Sequence, residues 1–144
     1  MIINSKSINI SERYYNDIID LYNNFSKIDK NIITIDFVRN YYNDLERNHN
    51  IFFFILDEKI VGIITLLIEQ KLIHNGKSVG HIEDLVVLDL YRNKNIATKL
   101  IDYIIEYSKN NNCYKIILDC DIKLETFYIK KSFINKGLYM ANYF

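Results

Sequence analysis

The sequence predicts an α/β (α+β) protein: one mixed, mostly antiparallel central sheet with helices on both faces. Three observations predict it. Apolar runs of strand length alternate with segments of helical periodicity in the order β-α-α-β-β-β-α-β-α-β. Two of these runs, Ile51–Leu56 and Ile60–Ile68, are joined by nothing more than Asp57-Glu58-Lys59, the spacing of a β-hairpin. No linker, repeat or low-complexity tract interrupts the 144 residues, so residues 1–144 form a single domain long enough for a real core.

Each element carries its own local signal. Ser7–Ile10 is a short apolar-rich piece that reads as a first strand. Ser11 is placed to cap a helix with Glu12 in its first turn, and Tyr15, Ile18, Ile19, Tyr22 and Phe25 follow at helical spacing. After the polar break Asp29–Asn31, Thr34 caps a second helix with the stripe Phe37, Val38, Tyr41, Tyr42 and Leu45, ended by Asn48–Asn50. The hairpin comes next, then a turn at His74-Asn75-Gly76-Lys77 and a strand over Ser78–Leu88. Asn95–Asn112 is the strongest helix, with Ile96, Leu100, Ile104, Ile105 and Ser108 on one face. Tyr114–Leu118 reads as a strand, Lys123–Lys131 as a short helix and Phe133–Tyr143 as a final extended strand.

Composition excludes several classes. Lys+Arg and Asp+Glu are both 18, so the basic footprint of a nucleic-acid binder is absent. No run of about 18 apolar residues exists to span a membrane. The start, Met1-Ile-Ile-Asn-Ser-Lys6, lacks a secretory pattern, and two cysteines, Cys113 and Cys120, are too few for a disulfide framework or a zinc site. The expectation is a cytoplasmic protein with inert thiols and no metal. The excess of asparagine and of tyrosine (12 residues) is a compositional bias that blurs motifs normally built with glycine.

The most informative stretch is Gly80–Lys99. A strand carrying Glu83 and Asp84 runs into a basic, Asn-rich loop that opens directly into a helix. Backbone N–H groups and the helix dipole at such a junction favour an anion, so the stretch reads as a phosphate cradle beside carboxylates. Taken alone, the loop reads equally as an ordinary basic turn. Glu83 and Asp84 are adjacent on a strand, and strand alternation sends them to opposite faces.

The strand, the Arg92-Asn-Lys-Asn-Ile-Ala-Thr98 loop and the helix resemble the acetyl-CoA-binding core of the GNAT acetyltransferase superfamily. Gly80-His-Ile-Glu-Asp-Leu-Val-Val87, Asn112-Cys-Tyr-Lys-Ile-Ile-Leu-Asp-Cys-Asp121, Phe127-Tyr128 and Ile68-Glu-Gln-Lys-Leu-Ile-His74 are similar to the glucosamine-6-phosphate N-acetyltransferase family, from about Leu21 onward. The resemblance implies the GNAT fold, acetyl-CoA as co-substrate, and acetyl transfer to the amine of glucosamine 6-phosphate by direct attack in a ternary complex. It also implies a homodimer with a shared active site, to which the aromatic tail Phe133–Phe144 contributes. The alternatives are a GNAT acting on another amine, such as a protein N-terminus or a polyamine, and a CoA-binding protein with little turnover.

The resemblance also distributes roles. Leu85, Val86 and Val87 offer backbone to the donor, and Arg92, Asn93, Lys94, Asn95, Ile96, Ala97 and Thr98 wrap its pyrophosphate. Asn93 and Asn95 stand where the family has glycine; asparagine is the non-glycine residue that best tolerates φ > 0. Tyr128 matches the tyrosine beside the donor sulfur and is the candidate acid. Asp119 orients the amine, or caps the next turn. Glu83 is placed near the amine as a base acting through water, and Asp84 near the sugar hydroxyls or the dimer contact; a salt-bridge role is the alternative for either. Ser26, Lys71 and His74 are candidates for the sugar phosphate, while His74 and His81 also read as plain turn and strand residues. The family's C-terminal basic residue is replaced here by Asn142-Tyr143-Phe144.

Overall fold

Five strands form one sheet in the order β1-β2-β3-β4-β5, described over residues Met1–Phe144 in a computed structural model. β1 (Ile2–Asn4), β2 (His49–Leu56), β3 (Lys59–Gln70) and β4 (Ser78–Val87) pair antiparallel, and β5 (Cys113–Ile117) lies parallel to β4. Helices α1 (Glu12–Tyr22) and α2 (Ile35–Asn43) cover one face. On the other face lies α4 (Ile96–Asn110), the crossover between β4 and β5, together with α5 (Glu125–Ile129). The mixed, mostly antiparallel sheet with two-sided helical cover is therefore present.

Local capping works as the sequence predicts. The Ser11 hydroxyl accepts from Tyr14 N–H at 3.2 Å and that of Thr34 from Phe37 N–H at 3.2 Å. The hairpin turns on Asp57 and Glu58, at φ of 48° and 56°. Two left-handed central residues match the strand twist, as a tight hairpin requires. Alternation along β2 splits the core: Phe53 packs under α1 and α2, and Phe52 packs under α4. Each such burial is worth about 1.5–3 kcal/mol. The carboxylate of Asp17, buried on α1, accepts from Ile60 N–H at 2.9 Å and pins the helix to the hairpin.

Four expectations need correction. The first strand is Ile2–Asn4, not Ser7–Ile10. Asn4 accepts from Lys6 N–H and starts a 3-10 turn over Ser5–Ser7, and Ile10 becomes a core plug beside α1 and α2. Phe25 is off the α1 stripe and 52% exposed, because α1 ends at Tyr22, where Asn24 turns its amide onto the Asp20 and Leu21 carbonyls. Asn50 does not end α2 but lies inside β2. Finally, Phe133–Tyr143 joins no strand: the sheet has five members, and no strand borders this segment.

The β3–β4 link contains a four-residue turn, α3 (Ile73–Gly76), in which His74 and Asn75 are left-handed at φ of 52° and 59°.

Candidate active site

β4 pairs with β5 only as far as His81 opposite Ile117. Beyond that point β4 is bonded to β3 alone, and no backbone hydrogen bond joins Ile82–Val87 to residues 118–121. The two strands part, leaving one edge of Leu85, Val86 and Val87 without a strand partner. A bulge accompanies the parting. Glu83 stands opposite Thr65 and Val86 opposite Ile63, so two residues of β4, Asp84 and Leu85, face the single Ile64. Asp84 takes φ of 51° to do so.

The bulge changes where side chains point. Ile82 packs toward α4, but Val86 packs toward α1 and α2, and Val87 returns to the α4 side. Glu83 and Asp84 therefore do not split between the faces, contrary to simple alternation. Glu83, following Ile82, points away from α4. The Asp84 carboxyl shares that side: it accepts from the Thr65 hydroxyl at 3.5 Å, and its charge is felt by Tyr22, Tyr41, Tyr42 and His49. Desolvation pushes the Asp84 carboxyl above its usual range, partly offset by the Thr65 hydrogen bond. Desolvation, followed by the Asp119 charge and then that of Asp84, raises Glu83.

The loop after β4 has the geometry of an anion cradle. Asn93 and Asn95 are both left-handed at φ of 60°, as asparagine in place of glycine allows. The backbone N–H groups of residues 93 to 98 have no acceptor within the chain; the first intrahelical bond runs from Lys99 N–H to the Asn95 carbonyl. Six successive unpaired donors at the N-terminus of a fifteen-residue helix suit phosphate oxygens. The exposed Lys94 and Lys99 side chains rest over Tyr91 and Phe54 at 5.0 and 5.8 Å. Ile96 is buried and Ala97 partly so, which seats the helix on the sheet. Arg92 is partly committed: it pairs with Asp89 at 2.7 Å and reaches the Val87 carbonyl and Asn24 at 3.4 Å.

Tyr128 on α5 is buried at 7% exposure between Phe127 and Phe133. Its hydroxyl is pushed up to about 12 by burial first, then by Cys120 and Asp119. The cap of the following turn is Asp121, which accepts from Lys123 N–H at 2.9 Å, so that role does not fall to Asp119. Asp119 lies just past β5 where the strands part, and its charge reaches both Glu83 and Tyr128. Glu83, Asp119 and Tyr128 are thus brought to one end of the β4–β5 gap, while the Asp84 carboxyl turns the other way, across β3 toward Thr65 and His49.

The phosphate candidates are dispersed. Ser26 is exposed just beyond α1, two residues from the Asn24 that Arg92 touches. His74 stacks on Tyr114 with ring centres 4.0 Å apart, at the opposite end of β4. Lys71 is bonded to Glu69, whose other oxygen meets His81 Nε2 at 3.0 Å. Sequence reasoning passed over Glu69 and Thr65, and left His81 undecided. The signal for Glu69 was available in part: it stands two positions before Lys71, with the opposite charge. Thr65 carries one in its place within the apolar run Ile60–Ile68.

Residues 15–138 match the sequence profile of the Acetyltransferase (GNAT) family. The chain belongs to this family. A GNAT relative from Arabidopsis thaliana, a glucosamine 6-phosphate N-acetyltransferase, is 37% identical over 86 residues, covering 60% of this chain and 58% of the relative. The chain thus spans a little over half the length of that relative. The enzyme of the same name from Dictyostelium discoideum is 36% identical over 107 residues, covering 71% of this chain and 68% of its own. The crystal structure of the Arabidopsis glucosamine-6-phosphate N-acetyltransferase superposes with a TM-score of 0.75 at 26% identity, covering 100% of this chain and 99% of the other. The mixed sheet and its helical layers are therefore the GNAT fold, and acetyl-CoA is the acyl donor of this family. The six free N–H groups and the open β4 edge fit such a donor.

Proposed function

We propose that this chain is a glucosamine 6-phosphate N-acetyltransferase, converting acetyl-CoA and glucosamine 6-phosphate into N-acetylglucosamine 6-phosphate and CoA. The reaction serves UDP-N-acetylglucosamine synthesis. The observation that carries the reading is the meeting of a six-donor cradle, an opened β4 edge and the group Glu83, Asp119 and Tyr128 in one gap. Relatives of that name, in organisms as distant as a plant and an amoeba, support the sugar as acceptor.

Acetyl-CoA, when bound, supplies an activated acyl group and a thiol leaving group. Asn93 to Thr98 hold its phosphates through backbone N–H groups, with Arg92 and Lys94 adding positive charge. The freed edge of Leu85, Val86 and Val87 offers an N–H to the reacting carbonyl oxygen. Glu83, raised by desolvation, is a stronger base than an ordinary carboxylate and takes the amine proton through a water. Asp119 holds the amine in line. Tyr128, raised to about 12, keeps its proton at neutral pH and is able to give it to the departing sulfur. Asp84 serves the sugar hydroxyls, and Ser26, Lys71 and His74 are the candidates for its phosphate.

The shared active site of a homodimer accounts for the dispersed phosphate ligands. Ile134, Leu138, Tyr139, Met140, Tyr143 and Phe144 stand exposed on an unpaired tail, and a second copy would cover them. Sedimentation is expected to give a dimer; a monomer at micromolar concentration removes the shared site. A cytoplasmic location accords with two free cysteines and with no helix long and apolar enough to cross a membrane.

One observation favours a second reading, an amine acceptor without phosphate. Lys71 is already paired with Glu69, whose carboxylate offsets its attraction for an anion. Thiol release from acetyl-CoA separates the readings. Glucosamine 6-phosphate is expected to drive release well above glucosamine or a polyamine. Release no greater than in a sugar-free control rejects the proposal.

A further inference from the structure

Tyr128 must meet the donor sulfur while the cradle holds the donor phosphates, so the distance between α5 and the start of α4 matters. α5 is only five residues long. It ends in a Schellman-type cap: Phe133 N–H donates to the Tyr128 carbonyl at 3.1 Å, and Ser132 N–H donates to that of Ile129 at 2.9 Å. The left-handed residue of this cap is Ser132, at φ of 66°, where glycine is usual. The Tyr128 carbonyl also accepts from Lys131 N–H at 2.9 Å. A short helix with a strained cap holds its orientation weakly by itself.

An ion pair supplies the missing constraint. Lys131 Nζ donates to both oxygens of Asp102 at 2.7 and 2.8 Å, across 29 residues of sequence, and the Lys131 side chain is only 19% exposed. Asp102 lies on α4, six residues from Ile96 and so about 9 Å along the helix from the cradle. One residue thus touches the backbone of Tyr128 at one end and the cradle helix at the other.

We infer that the Lys131–Asp102 pair is a positioning brace that holds Tyr128 at its working distance from the phosphate cradle. The inference rests on Tyr128 being the proton donor proposed above. Lys131 and Asp102 lie outside the cradle and the group of Glu83, Asp119 and Tyr128, so their loss acts on the acid's placement rather than on binding.

The test compares Lys131→Met, which keeps the apolar stem, with Asp102→Asn, the double variant, Lys131→Arg and Tyr128→Phe. Lys131→Met and Asp102→Asn are each expected to lower kcat about tenfold, because small misplacements of a reacting group are costly. KM for both substrates stays within about twofold, the double variant is no slower than either single one, and Lys131→Arg restores kcat. Amide exchange over residues 126–131 is expected to quicken in Lys131→Met. Unchanged kcat in Lys131→Met and Asp102→Asn beside a slowed Tyr128→Phe overturns the brace alone. A silent Tyr128→Phe overturns the proton-donor reading and the brace's catalytic role together. Unchanged amide exchange overturns the brace even in a chain without turnover.

Discussion

In the proposed site, six backbone N–H groups form the half for the acyl donor, whereas the half for the acceptor is made of side chains: Glu83, Asp84, Asp119 and Tyr128, with Glu69, Lys71 and His81 along the same sheet. The donor half depends on φ at two positions, not on residue identity, so Asn93 and Asn95 replace glycine and still turn the loop. The acceptor half depends on where a bulge and a strand divergence deliver particular functional groups. Backbone-made sites tolerate sequence drift; side-chain-made sites do not, and they reveal themselves less readily in sequence.

That contrast can be broken from either side. The largest effect is expected at the acceptor end. Tyr128→Phe should lower kcat about a hundredfold with little change in KM for the sugar, as loss of a general acid does; steady-state kinetics at neutral pH decide it. At the donor end, Asn95→Val forces a β-branched residue into left-handed space and should cost about 1–2 kcal/mol. Acetyl-CoA binding, followed by calorimetry, should weaken with it, while Asn95→Gly leaves affinity within about threefold because the φ requirement is met. Equal weakening by both replacements would mean that the Asn95 side chain, not the turn, matters.

Smaller effects sharpen the comparison. Ser132→Gly relieves the left-handed cap of α5 and should stabilise the fold by about 0.5–1 kcal/mol, seen as a higher denaturation midpoint with an unchanged slope. Asp84 gives the smallest change. Its carboxyl holds its proton more tightly in the folded state than in the unfolded chain, so native stability rises as pH falls through the raised value and is lower at neutral pH. Asp84→Asn should therefore stabilise the protein at pH 7 by no more than about 0.5 kcal/mol, since the group is partly solvated. The gain should vanish below about pH 3, where the carboxyl is protonated in both the folded and the unfolded chain. Thermal melts at the two pH values test it, and a gain that persists at the lower pH would point to packing instead of charge.

The activity profile carries the same signature. In the proposed mechanism Glu83 works ionised, and desolvation raises it, so the acid limb of kcat/KM should lie above the ordinary carboxylate range. Glu83→Gln should abolish that limb.

Legibility followed the range of the interactions. Ser11 and Thr34 cap the helices that the sequence predicts, because a cap is decided within four residues. The Ile51–Ile68 hairpin, the Gly80–Thr98 strand and loop, and the α4 stripe were equally readable, being periodic and contiguous. Ser7–Ile10 misled because its apolar residues fill the core without pairing, and the edge fell to Ile2–Asn4, bonded to Phe52–Phe54 some fifty residues away. Glu69 and Thr65 escaped notice because their partners, His81 and Asp84, lie on a neighbouring strand.

The sequence by itself determined the element types, the two-sided core and the loop that turns on Asn93 and Asn95, since periodicity, capping and φ preference are properties of neighbouring residues. Only the tertiary structure decided that Glu83 and Asp84 share a side of the sheet. The sign of strand alternation beyond residue 83 depends on a two-for-one register with Ile64, and register is a property of two strands, not one. It likewise decided that Lys131 meets Asp102, because that distance is set by how α5 packs on α4 after the chain has crossed the sheet.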